Sequence, residues 1–313
     1  MINFDIIVIW GYKIGNLNEY IHTHSWIHKG FYEGFSYLNY NTYWFDDTMD
    51  ISHFDFSNTL FITMGDEENK NMPYRKDCYY ILHNSNTTKF IDNGLNYMII
   101  QVYTLDCNIK ERELKRVYSD DPYQLYNLKD RTLYFPWATN LFPKEIENNI
   151  TNIKFKKSNE VNFIGMMIEP WIEFSQLCQK KNLVFKSIGG FTQNKVSFDE
   201  NKRLIQESFM APALVCEWQK NNGYIPCRIF KNISYGKFGI TNSHIVNNLF
   251  NNELIYDSNI EKLFDKAYDI CLNDKIQYDI LEKHMRFIAN KHTYINRCQT
   301  MLDIYSNILI YSN

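Results

Sequence analysis

The chain shows no excess of either charge. Its 313 residues carry 33 Lys and Arg against 36 Asp and Glu, a formal net charge of -3. Such a balance gives no general attraction to nucleic acid or to an anionic membrane. No apolar run approaches the ~18 residues that span a bilayer. No basic stretch precedes the first apolar run, and Asp5 sits at its start, so neither a transmembrane segment nor a secretory leader is expected. The seven cysteines, at 78, 107, 178, 216, 227, 271 and 298, include no Cys-x-x-Cys pair and no Cys/His ligand spacing. An odd, scattered set reads as free thiols in a reducing compartment, hence a cytoplasmic location, or host cytoplasm for a viral source. Also missing are Gly-x-Gly-x-x-Gly, His-Glu-x-x-His and Asp-x-Asp, and with them the usual signatures of dinucleotide binding, zinc hydrolysis and metal-held sugar nucleotides. There is no internal repeat.

What is present suits a globular α/β protein. Hydrophobic residues make up 45% of the chain, enough for a core. Abundant Asn, Ile, Lys and Tyr suggest an AT-rich genome. Residues 4–10, Phe-Asp-Ile-Ile-Val-Ile-Trp, predict a buried strand that leads into a loop with Gly11 and Gly15. Ile27, Phe31, Phe35 and Leu38 recur at helical spacing over 26–38, and 41–46 reads as the next strand. Further strands are predicted over 59–63, 78–82, 97–103 and 132–135. A polar stretch at 143–159 reads as a domain boundary. The pattern restarts at 161–165, a strand ending in Gly165, followed by a helix near 170–182, a strand at 183–188 ending in Gly189-Gly190, and a helix at 199–208. Helices are predicted over 243–250, 260–272 and 278–289, with a last one from about 292.

The chain is organised around Tyr224-Ile-Pro-Cys-Arg-Ile-Phe-Lys-Asn-Ile-Ser-Tyr-Gly236, preceded by the apolar 213–216 and the polar loop 219–223. Pro226 is expected at the first helical position, Ile229, Phe230 and Ile233 on the apolar side, and Gly236 at the stop. Phe238-Gly-Ile-Thr241 reads as a strand. A helix start carries free N–H groups and a partial positive charge that suit a phosphate. Arg228 and Lys231, three apart, share a face and could hold a diphosphate with it.

This unit resembles the donor-binding segment of GT-B glycosyltransferases of the family 1/4-like type, where Pro-x-Arg-x-Phe opens a helix that ends in small-x-Gly. Pro226, Arg228, Phe230 and Gly236 match. Lys231 stands where a ribose-binding Glu is usual, and Gly223 stands eight residues upstream, so the Glu-x7-Glu pattern of many retaining members is absent. His292-Thr-Tyr-Ile-Asn-Arg297 is similar to the group's closing helix. The resemblance implies two Rossmann-like domains facing a central cleft: an acceptor domain over 1–158, a nucleotide-sugar domain over 159–290, and a terminal helix over 291–313 that returns to the first. It implies transfer of a sugar from a nucleotide-sugar donor to a hydroxyl of a glycan or other acceptor, inverting and without a metal or other cofactor. Gly165, Gly189, Tyr224, Arg228, Lys231 and Asn242 would bind the donor. Gly15, His28 and Asn84 would meet the acceptor.

For the catalytic base, His24 matches the place of a catalytic His in several inverting families, just after the first glycine loop. An imidazole suits the task at neutral pH. Asp66 and His83, beyond the ends of predicted strands, are the other candidates. His22, His24 and His28 lack the further ligands a metal site needs. Asp46-Asp47 reads either as a partner for a histidine or as a turn, and Trp137 and Trp171 as packing or as stacking platforms. Two other functions fit the same scaffold. One is a nucleotide-sugar epimerase or hydrolase, with Asp66, Glu67 and Glu217 as acid/base groups. The other is a non-catalytic nucleotide-sugar or glycan-binding protein.

Overall fold

The computed structural model describes residues 4–11, 23–64, 69–83, 85–103, 114–116, 123–153, 158–189, 196–273 and 278–306, with side chains at 23–25, 64 and 114–116 left aside. The chain divides into two compact units, Met1–Pro136 with Tyr294–Asn313, and Trp137–Thr293.

The first unit is built on an eight-stranded sheet: β1 (Ile6–Trp10), β2 (Thr42–Phe45), β3 (Thr59–Met64), β4 (Tyr79–His83), β5 (Asn96–Gln101), β6 (Leu114–Arg116), β7 (Leu125–Asn127) and β8 (Thr132–Tyr134). Its order is β2-β1-β3-β4-β5-β8-β7-β6. The strands from β2 to β8 in that order pair in parallel, and β7 and β6 run antiparallel at the edge. β1 is buried along its whole length, which is why it reads as an unbroken apolar run: a parallel sheet is covered on both faces. On one face Ile6, Val8 and Trp10 join Phe45, Phe56, Phe61, Tyr80 and Phe90. Alternation sends Ile7 and Ile9 to the other.

Helix α1 (Thr23–Tyr37) buries Ile27, Phe31 and Phe35. A short α2 (Thr88–Asp92) follows β4. The unit is completed by the end of the chain. Helix α11 (Tyr294–Ile304), so numbered because eight helices of the second unit precede it, packs along α1. Glycines let the two backbones approach: a Cβ on Gly34 would stand 2.8 Å from the Cys298 sulfur and 3.1 Å from the Tyr294 carbonyl. Arg297, fully buried, donates from Nε to the Pro136 carbonyl (2.7 Å), and Thr300 Oγ1 donates to Gln124 Oε1 (2.8 Å). Just past the helix, the Tyr305 hydroxyl donates to the Tyr80 carbonyl (2.8 Å).

The second unit contains β9 (Glu160–Ile164) and β10 (Val184–Ile188), parallel, and β11 (Ile240–Thr241) and β12 (Ile255–Tyr256), also parallel. The extended run 209–215 joins the two pairs. Phe209 N–H donates to the Glu160 carbonyl, and Ala213 N–H to the Ile240 carbonyl (2.8 Å). Although 209–215 is not itself a strand, it lies between the two pairs, so that β10, β9, this run, β11 and β12 follow one another as the strands β2, β1, β3, β4 and β5 do in the first unit. Around it lie α3 (Pro143–Thr151), α4 (Trp171–Lys180), α5 (Phe198–Glu207), α6 (Glu217–Asn221), α7 (Cys227–Ser234), α8 (His244–Leu249), α9 (Ile260–Leu272) and α10 (Tyr278–Lys291). Ser197 and Asn259 cap α5 and α9 by accepting from Glu200 N–H and Lys262 N–H, the standard use of such side chains.

Several expectations shift. The boundary falls at Pro136/Trp137, not at 158. The polar stretch 143–159 begins with a helix, α3, whose Ile146 and Ile150 are buried and whose Asn149 donates to the Ser234 carbonyl (2.9 Å), tying it to the second unit. Pro226 is the N-cap of α7, one residue before the first helical position, with φ -69° and ψ 134°. The loop expected at 219–223 is half helix, because Gln219 accepts from Cys216 N–H and starts α6. The antiparallel β6–β7 pair was not anticipated. Among the described residues no helix is long and apolar enough to cross a membrane.

Candidate functional site

In a parallel sheet ordered 2-1-3-4-5, successive connections leave in opposite directions from the first strand, and ligands bind beyond the carboxyl ends at that divide. In the second unit the divide lies between β9 and 209–215. Gly165 follows β9 there, with φ +151° and its N–H donating to the Ile188 carbonyl (2.9 Å). Gly189 follows β10 with φ +84°.

Arg228, in the first turn of α7, lies against the same edge. Its Nη2 donates to the Ile164 carbonyl (3.2 Å). The guanidinium carbon stands 4.8 Å from the centre of the Phe163 ring and 5.5 Å from that of Trp171, which are stacked on each other at 3.8 Å. Glycine lets it lie this close: a Cβ on Gly165 would stand 2.7 Å from Nη2, so the guanidinium would have to move. Among the described residues Arg228 makes no ion pair, and the groups that act on its charge are burial, Cys227 and Tyr224. Burial pulls its pKa below the ordinary arginine value. A guanidinium held on aromatic rings, with no carboxylate beside it, is a cation in want of an anion.

The other donor-side candidates divide. Lys231 stands one turn further along α7 and is half-buried. Tyr224, half-buried, follows Gly223, whose φ of +67° turns the chain back onto α6. Asn242 is placed differently. Its Oδ1 accepts from Val215 N–H and its Nδ2 donates to the Val215 carbonyl, both at 2.9 Å, so the amide continues the ladder between 209–215 and β11. Glu217, on the first turn of α6, pairs with Lys220 at 3.2 Å on the surface.

In the first unit the structure brings two of the candidate histidines together. His28, on α1, and His83, the last residue of β4, are buried with Nε2 and Nδ1 3.3 Å apart and rings stacked at 29°. His24 lies one helical turn before His28, in the first turn of α1. Gly15, Asp66, Glu67 and Asn84 lie outside the described residues. Asp46 and Asp47 are turn formers. Asp46 accepts from Thr48 N–H (2.7 Å). Asp47 accepts from Lys70 N–H, Asn71 N–H and Trp10 Nε1. Trp137 is buried. Trp171, read from the sequence as packing or a stacking platform, is buried against Phe163; sequence reasoning missed Phe163 and the pairing of the two rings beneath Arg228.

No family model matches the chain, and no curated protein matches it. Two solved structures are similar in layout. An alpha1,3-fucosyltransferase aligns over 98% of this chain and 91% of its own, at 12% identity and TM-score 0.47. Trehalose-6-phosphate synthase OtsA aligns over 91% of this chain and 77% of its own, at 10% identity and TM-score 0.45. Both have the GT-B fold.

Proposed function

We propose that this protein is a glycosyltransferase of the GT-B type, moving a sugar from a nucleotide-sugar donor to a hydroxyl of a glycan or other acceptor. The observation that carries the reading is Arg228: a half-buried guanidinium without a carboxylate partner among the described residues, held at the Gly165 turn. A diphosphate supplies the missing negative charge, with the start of α7 and Lys231 as further sources of positive potential. As the glycosidic bond breaks, charge grows on the leaving diphosphate, and a fixed cation stabilises that state more than the ground state. No divalent metal is required for this. A histidine removes the acceptor proton, and direct displacement inverts the anomeric carbon.

The test is Arg228→Ala, with binding of UDP, GDP and ADP measured by calorimetry in the presence of EDTA. The parent should bind one of them without added metal, and the variant more weakly. Turnover should fall by about 10²-fold or more, the usual loss for one electrostatic stabiliser. Equal affinity in the two proteins, or activity that vanishes with EDTA and returns with Mg²⁺ or Mn²⁺, rejects the mechanism.

A further inference from the structure

We infer that the second unit carries a further binding site, at the amino edge of its strands, for an uncharged apolar molecule with a hydroxyl head, the chemistry of a medium-chain alcohol. The site does not rest on the glycosyl-transfer reading. It is a cavity of about 320 Å³, within the size range of small-molecule pockets. Asn159 and Leu183, the residues just before β9 and β10, both line it. Arg228 and Gly165 lie at the other edge, beyond the end of β9. Helices of such a unit run against its strands, so their carboxyl ends collect at the amino edge. Four of them end on the cavity. Leu183 follows α4, Phe209 and Met210 follow α5, Phe238 follows α7, and Tyr268 and Leu272 lie toward the end of α9. The wall runs from Leu272, 52% exposed, inward to Met210, 1% exposed. The Phe209 and Tyr268 rings form part of it, with centres 5.5 Å apart.

Charge decides the class of ligand. The charged residues that line the cavity are Lys181 and Lys237, and no carboxylate lines it. Both ammonium groups already serve the protein. Lys237 Nζ donates to the Ser208 carbonyl, at the end of α5. Lys181 Nζ stands 4.0 Å from the Asp265 carboxylate and 5.1 Å from the centre of the Tyr268 ring. An anionic ligand would face four helix ends, each with a partial negative charge. It would also leave water for apolar walls, which is costly for any ion without a dedicated partner. A cationic ligand meets the same cost and is repelled by two lysines. An uncharged body avoids both penalties. A hydroxyl head suits the place, because the carboxyl end of a helix crowds carbonyl acceptors together. α7 joins the two edges: Arg228 is in its first turn, and Gly236, just past its end, lines the cavity. The cavity can therefore be filled while the donor edge is occupied.

The experiment titrates the full chain with decanol, decanoate and decylamine. It follows the melting temperature and the rate at which N-ethylmaleimide modifies each cysteine, read by peptide mass spectrometry. Cys271 is half-buried and lines the cavity, whereas Cys216 and Cys227, also half-buried, sit at the starts of α6 and α7. Decanol should raise the melting temperature saturably, as a ligand of the folded state does. It should slow modification of Cys271 and leave Cys216 and Cys227 unchanged. Decanoate and decylamine should each bind roughly tenfold more weakly or worse, the cost of burying their charge. Cys271→Trp, which fills the cavity from its half-buried side, should abolish the decanol response. Lys181→Met should bind decanol as the parent does. UDP and GDP should leave Cys271 modification unaltered. No saturable response to decanol, equal protection of Cys227 and Cys271, decanoate binding as tightly as decanol, or decanol affinity lost in Lys181→Met each overturns the site. So does protection of Cys271 by UDP or GDP, which would make the cavity part of the donor site. The labelling is read in the parent protein, so it does not depend on how a variant folds. Failure of the parent to bind any nucleoside diphosphate would end the donor reading and leave the decanol result as it stands.

Discussion

At the scale of single residues, two positions couple backbone geometry or burial to a measurable outcome. Gly165 adopts φ +151°, and a Cβ there would meet the Arg228 guanidinium at 2.7 Å. Gly165→Ala must either move the turn or push Arg228 off the Phe163–Trp171 shelf. Affinity for UDP or GDP should fall roughly 10- to 100-fold, equivalent to one lost charge-assisted hydrogen bond, while circular dichroism still reports a folded chain. Unchanged affinity would show that Arg228 is not in the donor site. His284 makes a different kind of prediction. Burial lowers its pKa below the ordinary 6.5, against the opposing pull of its bond to Glu253 (3.4 Å), and Lys283 lowers it further. Between the folded pKa and 6.5 the unfolded chain binds more protons, so stability falls as pH drops through that window and is unaffected above it. Melting temperatures should decline from pH 7.5 to pH 5.5, and His284→Gln should shrink that decline. An identical decline in both proteins would place the sensitive group elsewhere.

At the scale of elements, the α1–α11 contact is set by small residues. Gly34 faces the Cys298 sulfur and the Tyr294 backbone, and the backbone side of that contact cannot rotate away. Gly34→Ala should cost about 1–3 kcal/mol, the usual range for overpacking, read as a lower urea midpoint with an unchanged slope; a midpoint equal to the parent's would mean the helices separate freely. The same two helices show what the sequence could disclose. The face of α1 was legible because Ile27, Phe31 and Phe35 repeat at the helical period, and β1, β4 and β9 because their apolar runs end in Gly or polar residues. The apolar 213–216 suggested a buried strand, but no strand forms there: the bonds of the run 209–215 are divided between Glu160, Ile240 and the Asn242 side chain, which no local pattern encodes. α3 was obscured by its Asn and Lys content, since only Ile146 and Ile150 mark its buried side. Arg228 was legible as a cation at a helix start. Its aromatic shelf was not, because Phe163 and Trp171 come together through the packing of α4 on its neighbours. His28 and His83 were each legible as candidates, yet their contact spans 55 positions and depends on how α1 lies against β4.

At the scale of the whole molecule, the two units differ in how the chain builds them. The second is one continuous stretch, Trp137–Thr293, whereas the first needs both ends of the chain. Tyr294, Met301, Leu302, Ile304 and Tyr305 are all at most 6% exposed. Burying a side chain of this size contributes about 1.5–3 kcal/mol. Five of them together rival the net stability of an ordinary domain, about 5–15 kcal/mol. A fragment comprising 1–136 therefore lacks the cover for α1 and the partner of the Tyr80 carbonyl, and should not fold cooperatively alone. A fragment comprising 137–293 retains every strand and helix of its unit and should melt in a single transition. Adding a synthetic 294–313 peptide to the first fragment should restore helical signal and a melting transition, saturably. Cooperative melting of 1–136 without the peptide would mean that the terminal helix is an accessory to the first unit and not part of its core.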